Sequence, residues 1–222
     1  MQGGTIDGAQ AKRGLDLVLS LLLVVVCAPL LAIVALAIRI DSAGPVIFRQ
    51  TRVGARRRPD GSWVSVEFEV LKFRSMRPGV DESRHREYIS AFVNGSIEQT
   101  EGQNRRFKLT DDDRITRVGR VIRRLSLDEL PQLFNVVRGE MSLVGPRPVP
   151  VYEVEGYSSH HRERFNALPG ITGLWQVRGR GRVTFEEMVQ MDIEYVRERD
   201  MWLDVRLLVA TIPAALTGRG AG

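Results

Sequence analysis

The sequence predicts an α+β chain, mostly helical, in which an N-terminal re-entrant membrane helix, a β-hairpin and amphipathic interfacial helices surround one compact domain. Three observations predict it. A long apolar run near the N-terminus is broken by a single proline and flanked by cations; a later stretch alternates apolar and polar residues beside a Pro-Asp-Gly turn; further segments repeat apolar residues at helical spacing. The 222 residues fit one ordinary domain plus an anchor. The expected organisation is a flexible tail over residues 1–11, a membrane helix over 12–40 bent at Pro29, and a domain over 41–222.

Between Leu17 and Ile38 lie 22 residues with Ser20 as the only strongly polar member. A straight helix over them reaches roughly 33 Å, enough to cross a bilayer. Pro29 falls in the middle, where it removes an intrahelical hydrogen bond and clashes with the preceding turn. Lys12 and Arg13 precede the run, and Arg39, Arg49, Arg52 and Arg56-Arg57-Arg58 follow it, so both ends carry the charge bias of cytoplasmic segments. A helix that bends at Pro29 and returns to the leaflet it entered satisfies both ends, provided neighbouring groups serve the carbonyls freed at the bend. A kinked spanning helix is the alternative. A cleaved signal peptide ending near Ala35-Leu36-Ala37 fits less well, because the run is long and no polar region precedes that site.

Pro45 to Gln50 reads as a short strand, and Val64, Val66, Phe68 and Val70 alternate with Ser65, Glu67 and Glu69 as a second, with Pro59-Asp60-Gly61 as the turn signal between them. Residues 77–113 are polar: Asp81, Glu82, Arg84, His85 and Arg86 fit one helix, and Asp111-Asp112-Asp113 read as caps of the next rather than a metal loop. From Arg114 to Leu125, Ile115, Val118, Ile122 and Leu125 recur at helical spacing with Arg117, Arg120 and Arg124 on another face. Thr184 with Glu187 has the spacing of a capping box. The apolar segment Trp202–Leu216 fits a core helix or an interfacial one equally.

The formal charge of +5 suits a polyanionic partner: nucleic acid, an anionic leaflet or a diphosphate. The single Cys27 excludes a disulfide framework and a cysteine-based zinc site. His85, His160 and His161 make no convincing metal cluster; adjacent side chains on a helix diverge by about 100°, so His160 and His161 read as solvated surface.

The chemistry concentrates in Arg123-Arg124-Leu125-Ser126-Leu127-Asp128-Glu129-Leu130-Pro131-Gln132-Leu133. Ser126 with Glu129 fits a capping box, whereas Leu130-Pro131 suggests a helix whose first residue is Pro131. Either reading puts Asp128 and Glu129 at a helix start, where unpaired N–H groups favour phosphate and keep a carboxylate ionised. On position alone the two acids are ordinary capping residues.

Ser126 to Leu133, with Lys72-Phe73-Arg74-Ser75-Met76, Gly145-Pro146-Arg147-Pro148 and Pro169-Gly170-Ile171-Thr172-Gly173-Leu174-Trp175-Gln176-Val177, resembles the bacterial sugar transferase family, the small monotopic phosphoglycosyl transferases. Lys12-Arg13 with Asp16, ahead of the Pro-interrupted run, is similar to that family's entrance to its re-entrant helix, and the resemblance covers about residues 12–217. It implies a catalytic domain on the cytoplasmic face of the bacterial inner membrane, in contact with its phospholipids. It also implies transfer of sugar-1-phosphate from a UDP-sugar to polyprenyl (undecaprenyl) phosphate, with release of UMP. Asp128 would be the nucleophile, Mg²⁺ the cofactor, and Glu129 its main carboxylate ligand beside Asp128. Arg123 and Arg147 are the implied phosphate clamps, with Lys72, Arg74 and Gln176 as further substrate-binding candidates. At the membrane bend, Ala28 stands before Pro29 where better-known members carry Ser, so the freed carbonyl needs another partner. The chain also resembles the minimal catalytic form rather than the longer relatives with an additional N-terminal membrane domain.

Two other readings stand beside this one. A membrane-tethered nucleic-acid binder would use the arginine-rich helix, but aromatic residues are only 7% of the chain, which offers few stacking platforms. An inactive scaffold of a polysaccharide-export complex would keep the fold without the acid pair, which is present. The sugar and the pathway are not legible in the residues, and a homo-oligomer stays open.

Overall fold

The computed structural model describes residues 6–77, 83–93, 114–179 and 183–216. Helix α1 spans Ile6–Asp41 and contains Pro29. It begins inside the stretch expected to be a tail, and helical structure is kept on both sides of the proline. One side is left bare, with Val18, Val25, Ile33 and Ile40 exposed, while Ser20, Val34 and Ile38 are buried. Among the described residues it is the one helix long and apolar enough to cross a membrane.

The hairpin forms as expected, with longer strands. Strands β1, Ile47–Arg57, and β2, Trp63–Phe73, pair antiparallel from Ile47↔Phe73 to Arg57↔Trp63. Asp60 Oδ1 accepts from the Ser62 N–H at 2.9 Å and Gly61 takes φ +85, a backbone state that glycine adopts without a Cβ penalty. Helix α2 covers Ser83–Val93; the expected caps at Asp111–Asp113 and the residues around Asp81 and Glu82 lie outside the described residues. Helix α3, Arg117–Arg124, is capped by Thr116, whose Oγ1 accepts from the Gly119 N–H at 2.9 Å. Most of its apolar spacing is used: Ile122 is buried and Val118 packs on the same core, but Leu125 is exposed.

A 3-10 turn at Leu127–Glu129 leads to α4, Gln132–Arg138. Strand β3, Ser142–Val144, is followed by β4, Val149–Pro150, which adds to β1 through Arg52↔Pro150 and Val53↔Val149. After α5, Val151–Val154, a 3-10 turn covers His161–Phe165, and β5, Gly170–Thr172, pairs parallel with β3. His160 is exposed as expected, but His161 is not: its ring lies edge-on to Tyr157 and Phe185, at centroid distances of 5.7 and 5.2 Å. The chain ends in α6, Leu174–Arg178, α7, Phe185–Glu198, and α8, Met201–Leu216. The capping box of α7 is complete, and α8 leaves Trp202, Val209 and Ile212 exposed while burying Leu207. The fold is therefore a mostly helical α+β body with a small sheet and one long apolar N-terminal helix.

Polar bonds fasten α1 to this body at both ends. Lys12 Nζ donates to Asp204 Oδ2 at 2.5 Å and to the Val144 carbonyl at 3.3 Å, and Asp16 Oδ1 accepts from the Leu143 N–H at 3.1 Å. Arg13 donates to the Val136 and Val137 carbonyls at 2.6 and 2.9 Å, closing the C-terminal end of α4. At the other end Asp41 Oδ2 accepts from the Val118 N–H at 3.1 Å, and Arg74 NH2 donates to the Ser42 carbonyl at 2.7 Å. Apolar contacts run between these points: Leu19 and Val24 pack on the core around Val70 and Leu133, and Leu31 and Ala35 pack on the one around Phe73 and Ile122.

Candidate active site

Four elements converge on one cleft. Among the described residues it is lined by Arg52 from β1, Val70 and Lys72 from β2, Gln132 from α4, and Arg147 and Pro148 from the turn after β3. Antiparallel register explains the first three: Phe48 faces Lys72, Gln50 faces Val70 and Arg52 faces Phe68, so Gln50, Arg52, Val70 and Lys72 share one face of the hairpin.

Glu129 ties the cleft together. Its Oε1 accepts from Lys72 Nζ at 3.1 Å and from Arg147 NH2 at 2.9 Å. Burial pushes the Glu129 carboxyl up, but the charges and hydrogen bonds of Arg147 and Lys72 outweigh it and hold the group well below the usual carboxylate range. Burial pushes Lys72 down, opposed by Glu129 and reinforced by Arg147 and Arg52. Glu129 in turn raises Arg147. Asp128 is half-buried beside this group, close enough for its charge to favour the protonated forms of both Lys72 and Arg147.

Neither expected helix start is formed in full. Ser126 makes no side-chain cap and instead takes φ 56 and ψ 20, the one left-handed non-glycine among the described residues. It follows the Leu125 C-cap and closes the end of α3, where a left-handed residue terminates the helix. The capping box at Ser126 and Glu129 is absent because the Glu129 carboxylate is bound across the cleft rather than to the Ser126 backbone. The reading through Pro131 stands within one residue: Pro131 is the N-cap of α4. Asp128 and Glu129 thus occupy a short turn between two helices, reached through a left-handed residue of the kind that clusters at functional sites.

The Arg147 turn is set by close backbone approach. The Gly145 N–H donates to Thr172 O at 2.9 Å and the Gly170 N–H to Pro146 O at 2.8 Å. A Cβ on Gly170 would stand 2.1 Å from Gly145 N, which explains glycine at that position in physical terms. Pro146 and Pro148 are both trans. Behind the turn, Arg164 is fully buried, donating to the Arg147 carbonyl at 3.1 Å, to the Tyr157 hydroxyl at 2.5 Å and to Asp192. Glu153 accepts from the Tyr157 hydroxyl at 2.6 Å, so one guanidinium serves two carboxylates. Burial pushes the Asp192 carboxyl up to about 7 despite Arg164.

Of the residues singled out in the sequence, the structure brings Lys72, Asp128, Glu129 and Arg147 together. Arg123 lies half-buried in the last turn of α3, before Ser126. Arg74 is buried at the end of α1, and Gln176 donates to the Ile171 carbonyl at 2.9 Å. Arg52 stands out in the sequence only as a flanking charge; the signal that marks it is a cation on the hairpin face that also carries Val66, Phe68 and Val70.

Among the described residues no three His, Cys, Asp or Glu side chains group as a metal cage. Two adjacent carboxylates nevertheless suit Mg²⁺, which keeps several waters and is commonly held by one or two carboxylates plus substrate phosphates. Both ion pairs of Glu129 end on Oε1.

The model of the bacterial sugar transferase family matches residues 8–218. The chain is 41% identical over 214 residues to UDP-glucose:undecaprenyl-phosphate glucose-1-phosphate transferase of Caulobacter vibrioides, covering 93% of this chain and 70% of that one. It is 36% identical over 214 residues to exopolysaccharide production protein ExoY of Sinorhizobium fredii, covering 96% and 89%. It is 39% identical over 212 residues to galactosyl transferase CpsE of Streptococcus agalactiae, covering 95% of this chain but 43% of that protein, so it spans less than half of CpsE. With nearly its whole length matched, this chain belongs to the bacterial sugar transferase family.

Proposed function

We propose that the chain is a phosphoglycosyl transferase that moves sugar-1-phosphate from a UDP-sugar to undecaprenyl phosphate, with Asp128 as nucleophile. The observation that carries the reading is the pair Asp128 and Glu129 set against Lys72 and Arg147 in one cleft, with Glu129 held ionised by both cations. Its support from similarity is family membership and relatives whose names state this donor and carrier.

An Asp128 carboxylate oxygen attacks the sugar-bearing phosphorus and the phosphorus–oxygen bond to UMP breaks, leaving an aspartyl-phosphosugar and free UMP. A phosphate oxygen of the lipid carrier then attacks the same phosphorus and releases Asp128. Covalent catalysis of this kind divides one transfer into two and gives ping-pong kinetics. Lys72 and Arg147 orient the phosphates and stabilise developing charge, and Glu129 keeps both cations placed. Bound at Glu129 and Asp128, Mg²⁺ would neutralise charge on the diphosphate.

The same reading seats α1 in the cytoplasmic membrane as a re-entrant helix with the body on the cytoplasmic face. Its support is that one body holds both ends of the apolar helix, at Lys12, Arg13 and Asp16 and again at Asp41 and Ser42. A helix crossing about 30 Å of hydrocarbon would put those ends on opposite sides. Cysteines placed at residues 5 and 60 should be labelled from the same side in inverted vesicles, and opposite-side labelling rejects the hairpin.

The experiment for the chemistry is incubation of purified protein with Mg²⁺, a panel of UDP-sugars and undecaprenyl phosphate. UMP release and an organic-soluble sugar product are expected. Asp128→Asn should lose both while keeping the melting transition, and mass spectrometry of enzyme quenched with donor alone should find the adduct on Asp128. A fully active Asp128→Asn protein refutes the assignment.

A further inference from the structure

Resting on the transferase reading, we infer that Arg52 is a third phosphate-binding cation of the cleft, oriented for that role by Gln50. Arg52 Nε and NH2 donate to Gln50 Oε1 at 3.0 and 2.6 Å, so one edge of the guanidinium is held by a neutral side chain. NH1 reaches the Pro148 carbonyl at 3.4 Å, a long contact. A guanidinium carries five N–H groups in a fixed fork. Two are used by Gln50 and one weakly by Pro148, which leaves one on each terminal nitrogen for a phosphate oxygen.

Charge points the same way. Arg52, Lys72 and Arg147 bring three positive charges to the cleft, against Glu129 and the neighbouring Asp128. Glu129 already serves Lys72 and Arg147, whereas the bonds made by Arg52 go to neutral oxygens. A half-buried cation whose bonds go to neutral oxygens suits an anion, and both substrates of the proposed reaction present phosphate. Burial and the neighbouring Arg147 bring Arg52 down to about 10, so it stays charged at neutral pH. Arg13, by contrast, spends both terminal nitrogens on backbone carbonyls at the end of α4.

The test uses the full chain in detergent, with inorganic pyrophosphate as the probe and without divalent cation. By the size of charge-assisted hydrogen bonds, Arg52→Gln should weaken pyrophosphate binding about tenfold or more, read by calorimetry, with the melting transition retained. Arg52→Lys keeps the charge without the fork and should fall between; it carries the test if the glutamine variant does not fold. The KM values separate the two phosphate sources: a rise confined to the UDP-sugar assigns Arg52 to the diphosphate, and one confined to the lipid carrier assigns it to the acceptor. A folded Arg52 variant with unchanged pyrophosphate affinity overturns the inference and leaves the transferase reading standing. Arg52-dependent binding in a protein that turns over no UDP-sugar keeps the phosphate site and sinks the transferase reading.

Discussion

Glu129→Gln is the sharpest test of the electrostatics proposed for the cleft. The substitution keeps shape and removes the charge that accepts from Lys72 at 3.1 Å and Arg147 at 2.9 Å. Both bonds keep a cationic donor in the variant and lose only the anionic acceptor, and by the size of charge-assisted bonds the attraction lost from the two together is about 2–3 kcal/mol. Side-chain exposures of 16% for Lys72, 21% for Glu129 and 31% for Arg147 let water compensate in part, which favours the lower end. For a chain of this size that loss lowers Tm by roughly 4–8 °C at pH 7, measurable by tryptophan fluorescence in detergent. The pH dependence fixes the cause. The folded carboxyl is held below its unfolded value, so its contribution is complete above about pH 4.3 and is lost as pH falls toward the folded pKa. The gap between wild type and variant should therefore be constant from pH 5 to 8 and narrow below about 4. Without divalent cation, the variant should also bind pyrophosphate more tightly, because a negative charge beside Lys72 and Arg147 is removed. An unchanged Tm at neutral pH, or a gap that does not narrow in acid, refutes the reasoning.

Three further outcomes are expected. Asp192 has a raised carboxyl, so the folded state holds a proton that the unfolded state has released and stability falls between about pH 4 and 7 through this group; Asp192→Asn should flatten that part of the Tm profile. Arg13→Met removes both bonds to the last α4 carbonyls and should cost about 1–3 kcal/mol in urea unfolding, with no change in pyrophosphate affinity. Gly170→Ala places a Cβ 2.1 Å from Gly145 N, so the β3–β5 pair must part; a loss of at least about 1–3 kcal/mol is expected, with turnover falling because the Arg147 turn moves.

Local patterns in this sequence were informative and long-range pairings were not. Alternation through Val64, Val66, Phe68 and Val70, the Asp60-Gly61 turn and the Thr184–Glu187 box each depend on neighbours a few residues apart, and each is found. Lys12 and Arg13 looked like topology charges because their partners, Asp204 and the Val136 and Val137 carbonyls, lie more than a hundred residues away. Ser126 had the composition of a cap, but Glu129 gains more from two cations across the cleft than from one backbone N–H. The grouping of Lys72 with Glu129 and Arg147 came from resemblance, and the strand register supplies its physical account. Arg164 and Arg52 carried no local mark beyond their charge, because a cation on an apolar face becomes conspicuous only once the strand partners are known.

The fastening of α1 at both ends has a mechanical consequence. Among the described residues bonds tie both ends of the apolar helix to the body, so a tilt of the helix that kept them would carry Asp128 along. Seated as proposed, such a molecule would hold its reacting carboxylate at a fixed height above the acyl chains, and a thinner or thicker bilayer would raise or lower that carboxylate relative to the carrier's phosphate. Lipid thickness would then act as a rate control without altering a single contact inside the protein.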